Sequence, residues 1–155
     1  MKKELDSNTL ESSELVEQIF EFWFKGKDHI RSPFPEYIRP ELKRLSVQRF
    51  FTWASMLKEE VKKEINDTMI GEKFEEIIFE TALDLVQTED EKLTIHYPFM
   101  PRTGDSLDNK EIPGEEASIV RDRSIVKEGD SIFLKVMLEY PPDKKTWETR
   151  FELPA

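Results

Sequence analysis

Residues 83–97 read LDLVQTEDEKLTIHY and contain a change in the spacing of apolar side chains. Up to Val86 the apolar residues recur at helical intervals, continuing a pattern that begins well upstream. After Thr88 they alternate with polar residues through Leu93–Tyr97, which is the period of a β-strand. The change predicts an α+β domain in which helices come first and an antiparallel sheet follows.

The residues before this change predict about three helices. The first begins near Ser12, where short polar and acidic residues suit a helix start. The second follows Pro40 and reaches about residue 65, as one long helix or two short ones. The third follows residues 66–68 and ends near Gln87. It carries two apolar stripes, which indicates that it is covered on two sides and lies between the other helices and the sheet.

The residues after the change predict a sheet. There are four candidate strands: Leu93–Tyr97, Ser118–Val126, Ile132–Tyr140 and Trp147–Leu153. The last two alternate apolar and polar residues, as half-buried strands of an antiparallel sheet do. The predicted fold is therefore about three N-terminal helices packed on one face of a C-terminal antiparallel sheet of about four strands. The sequence leaves open whether the last strand is an edge, where its charges would limit uncontrolled pairing and its backbone could support dimerisation.

The domain organisation follows from these patterns. We expect a flexible N-terminal tail at 1–11 and a single α+β domain at 12–155. The helical part covers 12–88 and the β part covers 92–155, with a long loop at 98–116 that contains three prolines and two glycines. With 17 aromatic residues the chain has the material for a core, although 36% of it is charged. No apolar run is long enough for a signal peptide or a membrane span, so we expect a cytoplasmic protein without membrane contact.

Charge is distributed unevenly along the chain. The formal net charge is −10, which disfavours binding to nucleic acid because the mean field repels phosphates. Residues 25–49 nevertheless hold seven basic and three acidic residues, so that this stretch is +4 and the rest is −14. We expect an acidic protein partner to dock on this stretch, and the candidate contacts are Arg39, Lys43, Arg44 and Arg49. The alternative is that these cations balance the protein's own acidic helices.

A second candidate site surrounds the start of the long loop. His96 or Tyr97 would serve proton transfer or ligand contact, Arg102 would bind an anion and Asp105 would orient them. Such a site would form a pocket between helices and sheet, and the protein would then be a small-molecule-binding domain or an enzyme. The alternative is a strand end that turns into a proline-rich loop, with no ligand.

Motifs for other chemistry are missing from the sequence. There is no cysteine, no nucleophile elbow and no cluster of glycines that would cradle a phosphate. The two histidines have no partner at metal-ligand spacing, so we expect no catalytic residues, no metal and no cofactor. The sequence favours a non-catalytic protein-interaction or adaptor domain over the pocket alternative, and leaves homo-oligomerisation open.

Overall fold

The computed structural model describes residues 3–25, 31–108 and 116–154. The chain forms two compact units, a helical unit over residues 1–98 and a β unit over residues 99–155. Helices precede an antiparallel sheet in the chain, which confirms the predicted α+β class.

The described part of the helical unit contains five α-helices. They are α1 (Leu10–Lys25), α2 (Arg39–Ser55), α3 (Glu59–Glu64), α4 (Asp67–Leu85) and α5 (Glu89–His96). Two short 3-10 helices, Lys3–Leu5 and Glu36–Ile38, precede α1 and α2. The second predicted helix is thus two helices, and α5 is an addition to the predicted set.

The helix ends have local causes. Pro40 occupies the first turn of α2, where its missing N–H would have no helical partner in any case. The side chain of Asn66 accepts a 2.8 Å hydrogen bond from the backbone N–H of Met69 and caps α4. This cap lies in the polar interruption at 66–68, which confirms the predicted start of that helix.

Aromatic rings from three helices meet in the centre of the helical unit. The centroids of Phe50 on α2 and Phe74 on α4 lie 4.4 Å apart, and Phe20 on α1 meets Phe74 edge-on at 5.8 Å. All three side chains are buried. Such contacts add about 0.5–1.5 kcal/mol per pair to the stabilisation from burying the rings.

The second apolar stripe of α4 also lies against aromatic rings. The centroid of Phe79 is 4.9 Å from that of Trp23 on α1 and 5.1 Å from that of Phe34 in the connection before α2. Helix α4 is therefore apolar on two sides, as predicted, and residues of the helical unit contact both stripes. Its placement between the other helices and the sheet stays a prediction.

The predicted strand Leu93–Tyr97 is wrong, because this segment belongs to α5 and to the residue that ends it. The Thr88 side chain accepts a 3.1 Å hydrogen bond from the Glu91 N–H, and Glu91 accepts one of 3.0 Å from the Thr88 N–H. This reciprocal capping box starts a helix. The predicted end of the helical part at residue 88 moves to His96 accordingly. Alternation over five residues is too short to outweigh such a cap.

The N-terminal residues have local structure of their own. Within residues 1–11, predicted as a flexible tail, Leu5 is buried with 6% of its surface exposed. The hydroxyl of Thr9 accepts a 3.2 Å hydrogen bond from the Ser12 N–H in the first turn of α1. Helix α1 begins at Leu10, slightly before the expected start.

The β unit is an antiparallel sheet. Its described strands are β1 (Ser106–Leu107), β2 (Ser118–Glu128), β3 (Ser131–Tyr140) and β4 (Lys145–Glu152), in the order β1-β2-β3-β4. The last three confirm the predicted strands. The remaining strand lies inside the predicted loop 98–116, so the expectation that this loop is wholly irregular is wrong; residues 109–115 lie outside the described part.

Two tight connections set the register of the long strands. Gly129 and Asp130 join β2 to β3, and Gly129 has a φ of +59°, which glycine adopts without strain. Residues 141–144 join β3 to β4 and place Tyr140 opposite Lys145. In β3 the side chains of Leu134, Val136 and Leu138 are buried, which confirms the predicted alternation.

Strand β2 departs from simple alternation. Its register against β3 shifts between Val120 and Asp122, as a β-bulge does. Ser118 and Val120 are buried before the shift and Arg123 is buried after it, so the inward positions change from even to odd residues. A charged side chain thereby enters the buried side of the sheet.

Candidate functional site

Two of the four predicted docking cations lie on aromatic rings of α1. The Arg39 guanidinium is 5.5 Å from the Phe24 ring centroid, and its Nε donates a 3.1 Å hydrogen bond to the Phe34 carbonyl. The Lys43 ammonium is 5.8 Å from the Phe20 ring centroid and 2.9 Å from Oε1 of Glu17. These contacts hold both side chains against α1.

The third cation, Arg44, faces solvent. Its guanidinium pairs with the carboxylate of Glu41, one turn earlier on α2, and 62% of its side-chain surface is exposed. The hydrogen bond from Arg44 lowers the pKa of Glu41 and raises the pKa of Arg44. At physiological pH both groups are charged.

The fourth cation, Arg49, joins α2 to α4. Its Nη1 donates a 3.0 Å hydrogen bond to the hydroxyl of Thr81, which is fully buried, and lies 3.1 Å from Oδ2 of Asp84. Arg49 therefore has a structural role, because its guanidinium donates a hydrogen bond to a buried hydroxyl.

The four cations therefore do not form one separate basic patch. At about 100° per residue, Lys43 and Arg49 lie on different flanks of α2 and Arg44 lies on the outer face between them. Acidic groups from α1, α2 and α4 pair with these three. The structure thus supports the alternative that the cations balance the protein's own acidic helices, while Lys43, Arg44 and Arg49 keep 41%, 62% and 45% of their side-chain surface exposed.

The second candidate site is divided between the two units. His96 is the exposed last residue of α5, and its ring centroid is 6.1 Å from that of the half-buried Tyr97. Both belong to the helical unit, whereas Arg102 and Asp105 belong to the β unit. A pocket formed by all four stays a prediction.

Within the β unit, Arg102 and Asp105 close a turn. The Arg102 N–H donates a 2.8 Å hydrogen bond to Oδ2 of Asp105, and the Asp105 N–H donates one of 2.9 Å to the Arg102 carbonyl. The turn is fastened to β2, because the Val120 N–H donates a 2.8 Å bond to the Asp105 carbonyl. Asp105 is thus engaged in backbone structure, as the ligand-free interpretation of this segment expects.

The side chain of Arg123 on β2 makes a further contact with this segment. Only 6% of its surface is exposed, and its Nη1 donates a 3.0 Å hydrogen bond to the Pro101 carbonyl. The bulge in β2 brings Arg123 to the buried side, so sequence alternation alone gives no signal for this contact.

A surface cavity of about 260 Å³ lies on the helical unit, away from the predicted sites. Its lining includes Leu15 and Ile70 together with four carboxylates: Glu4, Glu11, Glu14 and Asp67. The residues come from three separate segments, and no motif in the sequence connects them. Clustered carboxylates on exposed helices are typical of a solvated acidic face, so we assign this cavity no ligand.

The described residues contain neither a metal centre nor a membrane-spanning helix. Within residues 3–25, 31–108 and 116–154, no group of three or more histidine, aspartate or glutamate side chains is placed to hold a metal ion. No helix in the same ranges combines the length and apolar character needed to cross a membrane.

Comparison with known proteins gives no relative for this chain: no protein-family model, no curated protein and no solved structure matches it.

Proposed function

We propose that this protein is a non-catalytic interaction domain that binds an acidic protein partner through Lys43 and Arg44 of α2. The observation that carries the proposal is that each of these cations has a contact within the protein and is still exposed. Lys43 lies over the Phe20 ring and Arg44 pairs within its own helix, yet 41% and 62% of their side-chain surfaces remain exposed.

Fixed cations favour binding because less side-chain entropy is lost when the partner arrives. Ordering a long side chain at an interface costs about 0.5–1.5 kcal/mol, and a ring that already restrains the side chain reduces that cost. The present ion pairs do not prevent exchange, since an exposed pair contributes only about 0–1 kcal/mol. A partner carboxylate can therefore join or replace Glu17 and Glu41 at little cost.

The charge balance favours a protein partner over nucleic acid. The net charge of −10 repels a polyanion at long range, whereas a partner with a few acidic side chains meets only the local field of α2. A cytoplasmic location belongs to the same proposal, and cell fractionation tests it.

The test compares wild-type protein with the variant Lys43→Glu/Arg44→Glu. These two positions are chosen because neither side chain is buried. Arg49 is left unchanged because it donates a hydrogen bond to the buried hydroxyl of Thr81. Lys58→Glu/Lys63→Glu is the matched control, since it makes the same change in net charge at exposed residues of the helical unit. Affinity capture from a native lysate identifies retained proteins, which are then titrated in purified form.

We expect a partner that binds the wild type and the control and loses at least tenfold in affinity with Lys43→Glu/Arg44→Glu, which corresponds to about 1.4 kcal/mol. Its affinity should fall as salt is raised. Equal loss in both variants would show that only net charge matters and would contradict a site on α2. If no protein is retained but a small molecule raises the melting temperature, the pocket alternative gains support.

A further inference from the structure

In the part of the chain that the structure describes, one edge of the sheet has no neighbouring strand along its whole length. Strand β4 is at the end of the order β1-β2-β3-β4, and it pairs with β3 from Lys145 to Glu152. Among the residues that the structure describes, no strand pairs with its other side. An edge of this kind presents unpaired N–H and C=O groups that accept another strand.

The backbone groups that point outward are identified by one hydrogen bond. The Leu153 N–H donates a 2.8 Å bond to the Ile132 carbonyl, so the backbone of Leu153 points toward β3. In an antiparallel ladder this direction alternates along the strand. The backbone groups of the odd residues 147, 149 and 151 therefore point toward β3. Those of the even residues point to the open edge: Thr146, Glu148, Arg150 and Glu152.

We propose that a second copy of this chain pairs with β4 in antiparallel orientation, about a two-fold axis at Thr149. In this register Glu148 of each copy lies opposite Arg150 of the other, so that two pairs of opposite charge form across the new ladder. Both residues present their backbone groups to the open edge, as a hydrogen-bonded pair requires. The proposal concerns self-association and does not depend on the partner proposed for α2.

The opposite side of β4 fits the same register. Trp147 of each copy comes to lie opposite Phe151 of the other, and both side chains are half-buried in the single chain. Cross-strand aromatic pairs are among the favourable contacts between antiparallel strands. One register thus matches charge on one face of the strand and aromatic side chains on the other.

Neighbouring registers lack this match. A shift by one residue sets outward backbone groups against inward ones, so that the ladder does not form. The next register in one direction places Glu148 opposite Glu148 of the second copy. The next in the other direction places Arg150 opposite Arg150 and Glu148 opposite Glu152. Like charges directly opposite each other destabilise a strand pair, so the charges of β4 favour the proposed register over these two neighbours.

The two charges are available for this contact. Glu148 lies 3.4 Å from Lys135 on β3, and Arg150 pairs with Glu128 on β2, but 56% and 46% of their side-chain surfaces are exposed. Because exposed ion pairs are weak, each charge can share its interaction between its present partner and the second copy.

The other edge of the described sheet, formed by the two-residue β1 and by the part of β2 beyond it, is less suited to pairing. Strand β2 is bonded to β1 at Ser118 and Ile119, and its bulge follows directly between Val120 and Asp122. A bulge increases the local twist and interrupts the ladder, so it discourages the addition of a strand. This difference favours β4 as the edge that pairs.

The test is sedimentation velocity of the full chain over a series of concentrations. We expect a reversible dimer in the wild type and at least a tenfold weaker one in Glu148→Arg, because a reversal of one charge affects both symmetric pairs. The double variant Glu148→Arg/Arg150→Glu restores opposite charges at both pairs and should return the dissociation constant to within about threefold of the wild type. Circular dichroism checks that every variant folds.

Two more variants distinguish this register from association through another surface or another register. Glu152→Lys reverses a charge that lies opposite Thr146 in the proposed register, so it should not weaken the dimer. Glu148→Pro removes an outward N–H that β3 does not use, and should abolish the dimer while the sheet remains folded. A wild type that stays monomeric at protein concentrations up to about 1 mM overturns the proposal, because a dimer with a dissociation constant of about 1 mM or lower would be detected there. So does a double variant that is as weak as the single one.

Discussion

The hydroxyl of Tyr37 donates a 2.7 Å hydrogen bond to Oε2 of Glu91, and this bond joins the short helix before α2 to the first turn of α5. The other oxygen of the same carboxylate accepts hydrogen bonds from the N–H groups of Gln87 and Thr88, at 3.2 and 3.0 Å. Burial raises the pKa of Glu91, but the hydrogen bonds from Tyr37, Thr88 and Gln87 outweigh it and hold that pKa below its ordinary value. One side chain thus caps a helix and ties it to a distant segment.

The lowered pKa of Glu91 predicts a dependence of stability on pH. A carboxyl group whose pKa is depressed on folding stabilises the protein above its unfolded pKa, and this contribution is lost as the pH falls through the lowered folded value. We therefore expect Glu91→Gln to reduce the free energy of unfolding at pH 7 and to reduce it less in acid, below the ordinary Glu pKa of 4.5. Urea unfolding of the wild type and of Glu91→Gln, at pH 7 and at a pH below 4.5, measures this difference.

Tyr37→Phe is the companion variant, since it removes one of the hydrogen bonds that lower the pKa of Glu91 and keeps the ring. When Glu91→Gln is made in the Tyr37→Phe protein, the loss in free energy of unfolding should change less with pH than it does in the wild type. A difference that is unchanged between neutral and acid pH would contradict the assignment of the effect to this carboxylate.

Removal of the cap at Thr88 should destabilise the helical unit. Thr88→Ala should reduce the free energy of unfolding by about 1 kcal/mol, because the Glu91 N–H loses its acceptor. Thr88→Ser retains the oxygen and should lose much less. The control is Thr52→Ala, because the Thr52 hydroxyl lies at an exposed position of α2, bonds to the Gln48 carbonyl and is not a cap. Equal losses at Thr88 and Thr52 would exclude a specific capping effect.

The two apolar stripes of α4 should differ in their contribution to stability. Phe74 is fully buried, and Phe74→Ala should cost about 3–5 kcal/mol. Phe79 is half-buried against Trp23 and Phe34, so Phe79→Ala should cost less, about 2 kcal/mol. Chemical denaturation gives both values. A loss below about 1 kcal/mol for Phe79 would show that its ring contacts contribute little beyond ordinary surface residues.

A hydrogen bond between a buried serine hydroxyl and a tryptophan should stabilise the β unit. The Trp147 indole N–H donates a 2.8 Å hydrogen bond to the hydroxyl of Ser118, which is 1% exposed. Ser118→Ala should cost about 1 kcal/mol and leave the indole donor without this acceptor. Ser124→Ala, on the same strand but exposed, is the matched control and should change stability by less than about 0.5 kcal/mol. Similar effects at the two serines would show that the hydrogen bond to Trp147 contributes nothing.

Local sequence patterns predicted most of the helices and strands, but the prediction was wrong where a helix signal and a strand signal overlapped. Strands β3 and β4 were predictable because their apolar and polar residues alternate over seven or more positions. Helix α4 was predictable because its apolar stripes follow a polar cap at Asn66. Leu93–Tyr97 was not, since its short alternation resembles a strand and its helical character comes from a capping box upstream. The motif Thr-x-x-Glu at residues 88–91 was the signal that would have indicated a helix.

The candidate sites were predictable only in part. The sequence indicated which segments carry unusual charge, and Lys43 and Arg44 do remain exposed on α2. It contained no indication that Arg49 contacts the hydroxyl of Thr81, or that Arg123 becomes buried through a bulge. These contacts join residues far apart in the chain, so their charges and spacing carry no local signal.

By itself, the sequence determined the α+β class, the order of the helical part and the sheet along the chain, and the apolar faces of β3 and β4, because these properties depend on periods within one element. Only the tertiary structure decided that the cations of α2 pair with acids of α1 and α4, and that β4 is at an open edge of the described sheet. Pairing partners and edge positions depend on which elements become neighbours, and that depends on contacts among the whole set of apolar side chains rather than on any one segment.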